Sequence, residues 1–120
     1  MTSLIKTATK EILVKKLLIR TSFSGRLRGL LFRRELEKDT AMLLLGTRQV
    51  HTFGMLFPLD LYFFCASMNL IDKRFNVKPW GIPVSPLETR HILEVPHCPL
   101  NEGLQIKTGE QISIFWRVTS

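Results

Sequence analysis

No apolar run in the chain approaches the roughly 18 to 20 residues that a membrane-spanning helix needs, so no membrane span is expected. Ile12-Leu13-Val14 and Leu17-Leu18-Ile19 are separated by Lys15-Lys16, which also removes a signal-peptide core and leads to the expectation of a cytoplasmic protein. Cysteine is scarce. Cys65 and Cys98 show no CxxC or finger spacing, so neither a disulfide framework nor a zinc finger is indicated. The adjacent His97 and Cys98 fall short of the four protein ligands that a structural zinc site usually needs, and no metal or cofactor is expected. Cys65 sits in the run Leu61-Tyr62-Phe63-Phe64-Cys65-Ala66 and reads as a small buried hydrophobe. Internal repeats, low-complexity tracts and Gly-, Ser- or Pro-rich linkers are absent, which leaves one domain as the natural organisation. There is no Walker motif, no dinucleotide fingerprint and no G-x-S-x-G elbow.

What is present suits a globular domain. The chain has 120 residues, 45% hydrophobic and 22% charged, enough to bury a core without covalent cross-links. Its net charge of +7 is unevenly placed. Residues 1–38 hold ten Lys or Arg against three Glu, whereas residues 39–120 hold seven of each sign. Such asymmetry attracts nucleic acid or an acidic partner. Arg26, Arg28 and Arg33, with Arg34 beside them, are the anion-binding candidates. The aromatics that base stacking requires are not interleaved with these arginines, so a solvated basic face is favoured over a nucleic-acid site.

Residues 1–10 are polar and unpatterned and are expected to form a flexible N-terminal tail, with residues 11–120 as a single β-rich domain. Residues 11–21 read as a strand, with a bulge or an edge at Lys15-Lys16. Ser22 and Ser24 precede a short helix expected over residues 25–31, where Leu27, Leu30 and Leu31 follow helical spacing. Short strands are expected over residues 41–45 and 50–53. The apolar run 59–66 reads as a strong strand that turns near residues 67–69 and returns through residues 70–77 as a hairpin. Pro79, Gly81, Pro83 and Pro86 break the structure before strand character resumes at residues 90–95. One helical turn is expected within residues 96–104, and the alternation of Ile112, Ile114, Trp116 and Val118 with Ser113, Phe115 and Arg117 marks a final strand. The expected fold is mainly β with short helices, a small antiparallel β-barrel or closed sheet.

The segment from His51 to Asp60 places a histidine, a threonine and an aspartate within a nearly apolar stretch. Such groups must find hydrogen-bond partners or face a pocket, because unpaired burial is costly. Val50-His51-Thr52-Phe53-Gly54-Met55-x-Phe57-Pro58-Leu59-Asp60 is similar to the central motif of the family called domain of unknown function 192, in the subgroup that carries His-Thr. Phe23-x-x-Arg26-Leu27-Arg28-Gly29-Leu30-Leu31-x-Arg33 resembles its N-terminal motif. Lys78-Pro79-Trp80, residues 90–96 and Gly103-Leu104-x-x-x-x-Gly109-Glu110 resemble its later blocks, in the family's order. The chain departs from the pattern at Leu56 and Gly81, where the family commonly has Arg, at Thr47 in place of a frequent Cys, and at Asn69 in place of an Asp-Gly turn. The resemblance implies a fold but no established activity.

His51, Thr52, Asp60 and Trp80 are therefore the ligand-binding candidates. His51 and Asp60 are an acid-base pair if adjacent strands bring them together; alternatively Asp60 accepts local hydrogen bonds and locks the turn at Pro58. Trp80 is either a pocket wall or a core anchor. Arg90 and Glu94 share a strand face with Ile92, where a charge pair is more often structural than catalytic. The favoured function is binding of a small ligand or a protein partner near these residues. A hydrolase-like enzyme using His51 and Asp60, and a nucleic-acid accessory protein using the basic first third, are the alternatives.

Overall fold

The computed structural model describes residues 2–21, 40–52 and 55–116. They form eight strands: β1 (Thr2–Lys6), β2 (Ile12–Val14), β3 (Lys16–Arg20), β4 (Thr40–Leu44), β5 (Leu59–Phe64), β6 (Leu70–Val77), β7 (His91–Pro96) and β8 (Ile112–Trp116). A three-stranded sheet has the order β2-β1-β8, and a five-stranded sheet has the order β3-β4-β7-β5-β6. All pairings are antiparallel except β3 with β4, which run parallel. A parallel pair cannot be joined by a tight turn.

The two sheets pack face to face, as alternation along each strand dictates. In β5, Tyr62 and Phe64 point toward the three-stranded sheet and meet Leu4, Val14, Leu43, Leu93 and Ile112 in one core. Leu59, Leu61 and Phe63 point the other way and join Met42, Leu44, Ile92, Val50 and Met55 in a second core. Every residue of β5 is buried, which explains why its sequence is apolar on both faces.

Several expectations need correction. The domain is not a barrel: β3 and β6 remain edges of one sheet, β2 and β8 of the other. Residues 11–21 do not form one continuous strand that could carry hydrogen bonding from sheet to sheet. The chain bends at Lys15, whose carbonyl accepts a hydrogen bond from the buried Ser3 Oγ at 2.9 Å, and β2 and β3 enter different sheets. Residues 1–10 do not form a tail, because Thr2–Lys6 is the central strand of the smaller sheet, paired on both sides. No helix occurs among the described residues. The stretch 97–104 is turn and irregular chain, and residues 25–31 lie outside the described residues. Residues 50–52, expected to begin a strand, are irregular, and the backbone of Thr52 bonds to Trp80 and Gly81 of the Pro-rich loop.

The hairpin of β5 and β6 and the strands β4, β7 and β8 lie where the sequence pattern places them. No helix among the described residues is long and apolar enough to cross a membrane.

Candidate functional site

Asp60 is the second residue of β5 and shares its inward face with Tyr62 and Phe64. Around it the β5–β6 register slips. Leu59 pairs with Val77 and Leu61 with Arg74, leaving Phe75 and Asn76 opposite Asp60 as a bulge. Asn76 takes a φ of 54°, and its N–H donates to Asp60 Oδ1 at 2.9 Å, so the carboxylate replaces the ladder bond that the bulge removes.

The same oxygen accepts from His97 Nδ1 at 2.8 Å. His97 reaches this position because β7 lies beside β5 with Val95 opposite Asp60, so the residue two beyond Val95 falls on the same face. Its backbone N–H donates to Pro58 O at 3.0 Å, which fixes the end of β7 against the start of β5. Asp60 is 3% exposed. The contact between Nδ1 and the carboxylate holds the imidazole in one orientation.

Next to the pair opens a cavity of about 480 Å³, at one end of the space between the sheets. Leu13 and Val14 of β2, Val95 of β7 and Leu104 form apolar walls; Asp60, His97, Cys98 and Asn101 supply polar groups. Lys and Arg are absent from its lining among the described residues.

Tyr62 shares the inward face of β5 with Asp60 and is fully buried. Its hydroxyl accepts from Leu104 N at 2.8 Å, and its ring meets that of Phe75 edge-on with centroids 6.0 Å apart. Burial raises the Tyr62 pKa from 10.0 to about 12; the Leu104 N–H pulls it down, and the charge of Asp60 raises it further. The chain has a single tyrosine. Tyrosinate absorbance is therefore expected to rise with a midpoint near pH 12 in the folded protein and near pH 10.0 in urea. Because the folded state then holds a proton that the unfolded state has released, stability from this group is complete below pH 10.0 and declines as pH climbs toward 12. Equal midpoints in the two states would contradict this burial.

The other candidates separate. Thr52 is fully buried, but it organises the Pro-rich loop. Its hydroxyl donates to Lys78 O at 2.8 Å and accepts from Gly81 N at 2.7 Å, its N–H donates to Gly81 O at 2.8 Å, and its carbonyl accepts from Trp80 N at 2.9 Å. This clamp holds Trp80 at a φ of 65° with 71% of its surface exposed, so Trp80 is not a core anchor. Thr52 and Trp80 are thus brought together, whereas neither they nor His51 line the Asp60 cavity. His51 is half-buried, and the hydrogen bonds of Asp60 go to Asn76 and His97 instead of to it. Arg26, Arg28, Arg33 and Arg34 lie outside the described residues. Cys65 is only half-buried, with Sγ 3.1 Å from Ser67 Oγ, and its pKa is lowered by that contact; the turn it starts leaves the core after Phe64. Arg90 donates to the carbonyls of Leu87 and Thr89, while Glu94 is fully buried in β7 between Met42 and Leu61.

The histidine that completes the pair was missed by the sequence reading. The available signal was period-two spacing: Leu93, Val95 and His97 continue one face beyond Pro96. Converting that signal into a contact requires the β5–β7 register.

The model of the family DUF192, described as "Uncharacterized ACR, COG1430", matches residues 4–114. The chain belongs to the DUF192 family. Its fold is similar to the crystal structure of a protein of unknown function from Novosphingobium aromaticivorans DSM 12444, with 22% identity, a TM-score of 0.67, and 93% of this chain and 82% of that one covered. It is likewise similar to a proposed transcription regulator from Sinorhizobium meliloti 1021, with 20% identity, a TM-score of 0.66, and 93% and 90% covered. At these identities the likeness establishes the fold alone. No curated protein is significantly similar to this DUF192 chain. Within it, the central family block has two roles: Thr52 clamps the Pro-rich loop, and Asp60 supplies the carboxylate of the cavity.

Proposed function

We propose that this DUF192 domain binds a small ligand in the cavity beside Asp60. The observation that carries the reading is a carboxylate oriented by two donors at the wall of an otherwise mainly apolar cavity of about 480 Å³. Concave, largely apolar sites with a few fixed polar groups are where small molecules bind, and this volume lies within their usual range of roughly 300 to 1,000 Å³. Asp60 is the one candidate from the central motif that contributes to this site, and His97 replaces His51 as its partner.

Binding is favoured over turnover. A hydrolase-like mechanism would use His97 as the base, since Asp60 holds it as a general base is held. A covalent version would also need a nucleophile within hydrogen-bond reach of the imidazole, and no Ser, Thr or Cys hydrogen-bonds to His97 among the described residues, which leaves water as the group such a base would activate. The Trp80 loop supports a second reading, contact with a protein partner. Trp80, Ile82, Val84 and Leu87 are all exposed on a stretch that carries no charge from residue 79 to 87, and Thr52 holds its first turn in place.

A library of small fragments, screened by amide chemical-shift changes, tests the cavity. Shifts are expected to centre on Val95, His97 and Leu104 and to vanish when Val95→Phe fills the space. Binders that shift only other surfaces, or none at all, would refute the proposal.

The basic first third is expected to give no salt-sensitive binding to RNA or DNA beyond weak nonspecific contact, in line with a solvated face. Affinity tighter than about micromolar at physiological salt, lost on replacing Arg26, Arg28, Arg33 and Arg34, would restore the nucleic-acid alternative.

A further inference from the structure

We infer that the ligand of this cavity is a small organic cation, a protonated amine on a compact hydrocarbon body; the inference rests on the cavity being a ligand site. It starts from the two oxygens of Asp60. Oδ1 is occupied, accepting from Asn76 N–H at 2.9 Å and from His97 Nδ1 at 2.8 Å. Oδ2 makes no hydrogen bond with the described residues, and it is not among the enclosed polar atoms that lack a partner, so it keeps some exposure in a residue that lines the cavity. The residue as a whole is 3% exposed. A carboxylate oxygen in such surroundings is poorly hydrated and is stabilised strongly by any donor that meets it.

The charge of the surroundings selects the donor. The described lining holds no Lys or Arg, and His97 is its one group able to take a positive charge. An anionic ligand would be repelled by Asp60, and the described lining offers no Lys or Arg to offset the cost. A neutral alcohol satisfies Oδ2 with one ordinary hydrogen bond. An ammonium group supplies three donors and an opposite charge, and charge-assisted bonds are roughly twice as strong as neutral ones. The low dielectric of the walls strengthens the attraction further.

The walls select the rest of the molecule. Leu13, Val14, Val95 and Leu104 present branched aliphatic surface, which fits a short branched hydrocarbon better than a polyhydroxylated or aromatic polar body. Asn101 is exposed at the rim, with its Oδ1 accepting from Gly103 N at 3.0 Å.

Isothermal titration at neutral pH with isopentylamine, isopentanol and isovalerate, which share one branched body, separates the possibilities. The amine is expected to bind roughly tenfold or more tightly than the alcohol, and the carboxylate not at all. Asp60→Asn keeps an acceptor for the Asn76 N–H and is expected to abolish the preference for the amine. Should that variant fail to fold, Leu13→Lys on β2 places a competing ammonium in the cavity and is expected to suppress the amine while sparing the alcohol. If the alcohol or the carboxylate binds as tightly as the amine, the cavity remains a ligand site and the cationic class is wrong. If none of the three binds and the fragment screen also leaves Val95, His97 and Leu104 unmoved, the ligand site itself is refuted.

Discussion

Asp60→Ala is expected to lower the unfolding free energy by about 1 to 3 kcal/mol, read as a reduced urea midpoint at neutral pH. The side chain satisfies a backbone donor that has no ladder partner, because the Phe75-Asn76 bulge takes Asn76 out of the β5–β6 register. It also holds the His97 ring, whose Nδ1 would otherwise lose its acceptor at a site only 20% open to solvent. Asp60→Asn, which retains one acceptor, is expected to lose less than the alanine variant. An unchanged midpoint for Asp60→Ala would show that the bulge is held by its neighbours alone and that Asp60 serves the cavity only.

Gly103→Ala is expected to be more damaging, by about 2 to 4 kcal/mol. Gly103 has a φ of 84°, where an L-residue is strained, and an added Cβ would lie 2.7 Å from Tyr62 Oη and 3.0 Å from Phe75 Cε1. Tyr62 does not yield easily, being fully buried and accepting from Leu104 N, whereas the half-exposed Phe75 ring can move aside. Gly109 provides the control. Its φ of 92° carries the same backbone strain, but nothing lies within 4 Å of an added Cβ. Gly109→Ala should therefore cost only about 1 to 2 kcal/mol. Equal losses at the two glycines in thermal or urea unfolding would show that backbone strain dominates and that the Tyr62-Phe75 contact gives way.

Asp60 stands out in the sequence because a carboxylate within Leu59-Asp60-Leu61-Tyr62-Phe63-Phe64 needs buried donors, and burial in β5 makes that requirement real. Its donors cannot be read the same way. One is a backbone N–H freed by a register slip, and the other belongs to a residue 37 positions away. His51 is nearer in sequence and chemically equivalent, which made it the obvious partner; strand pairing selected His97. Thr52 shows the same division. Its burial follows from its apolar setting, but its partners Lys78 and Gly81 lie across a loop whose path no local pattern reveals.

The pattern of apolar residues by itself determined β4, the β5–β6 hairpin, β7 and β8, since alternation and turn residues act over a few positions and leave little choice. The ordered family blocks by themselves determined membership of DUF192. Only the tertiary structure decided that Thr2–Lys6 is a central strand, because its five residues gain strand character from pairing with β2 and β8. It likewise decided that the chain changes sheets at Lys15, that β3 and β4 run parallel, and that the sheets stay open. These are choices among distant backbone partners. Their free energies depend on packing and hydrogen bonds between segments far apart in the chain, which a local pattern does not encode.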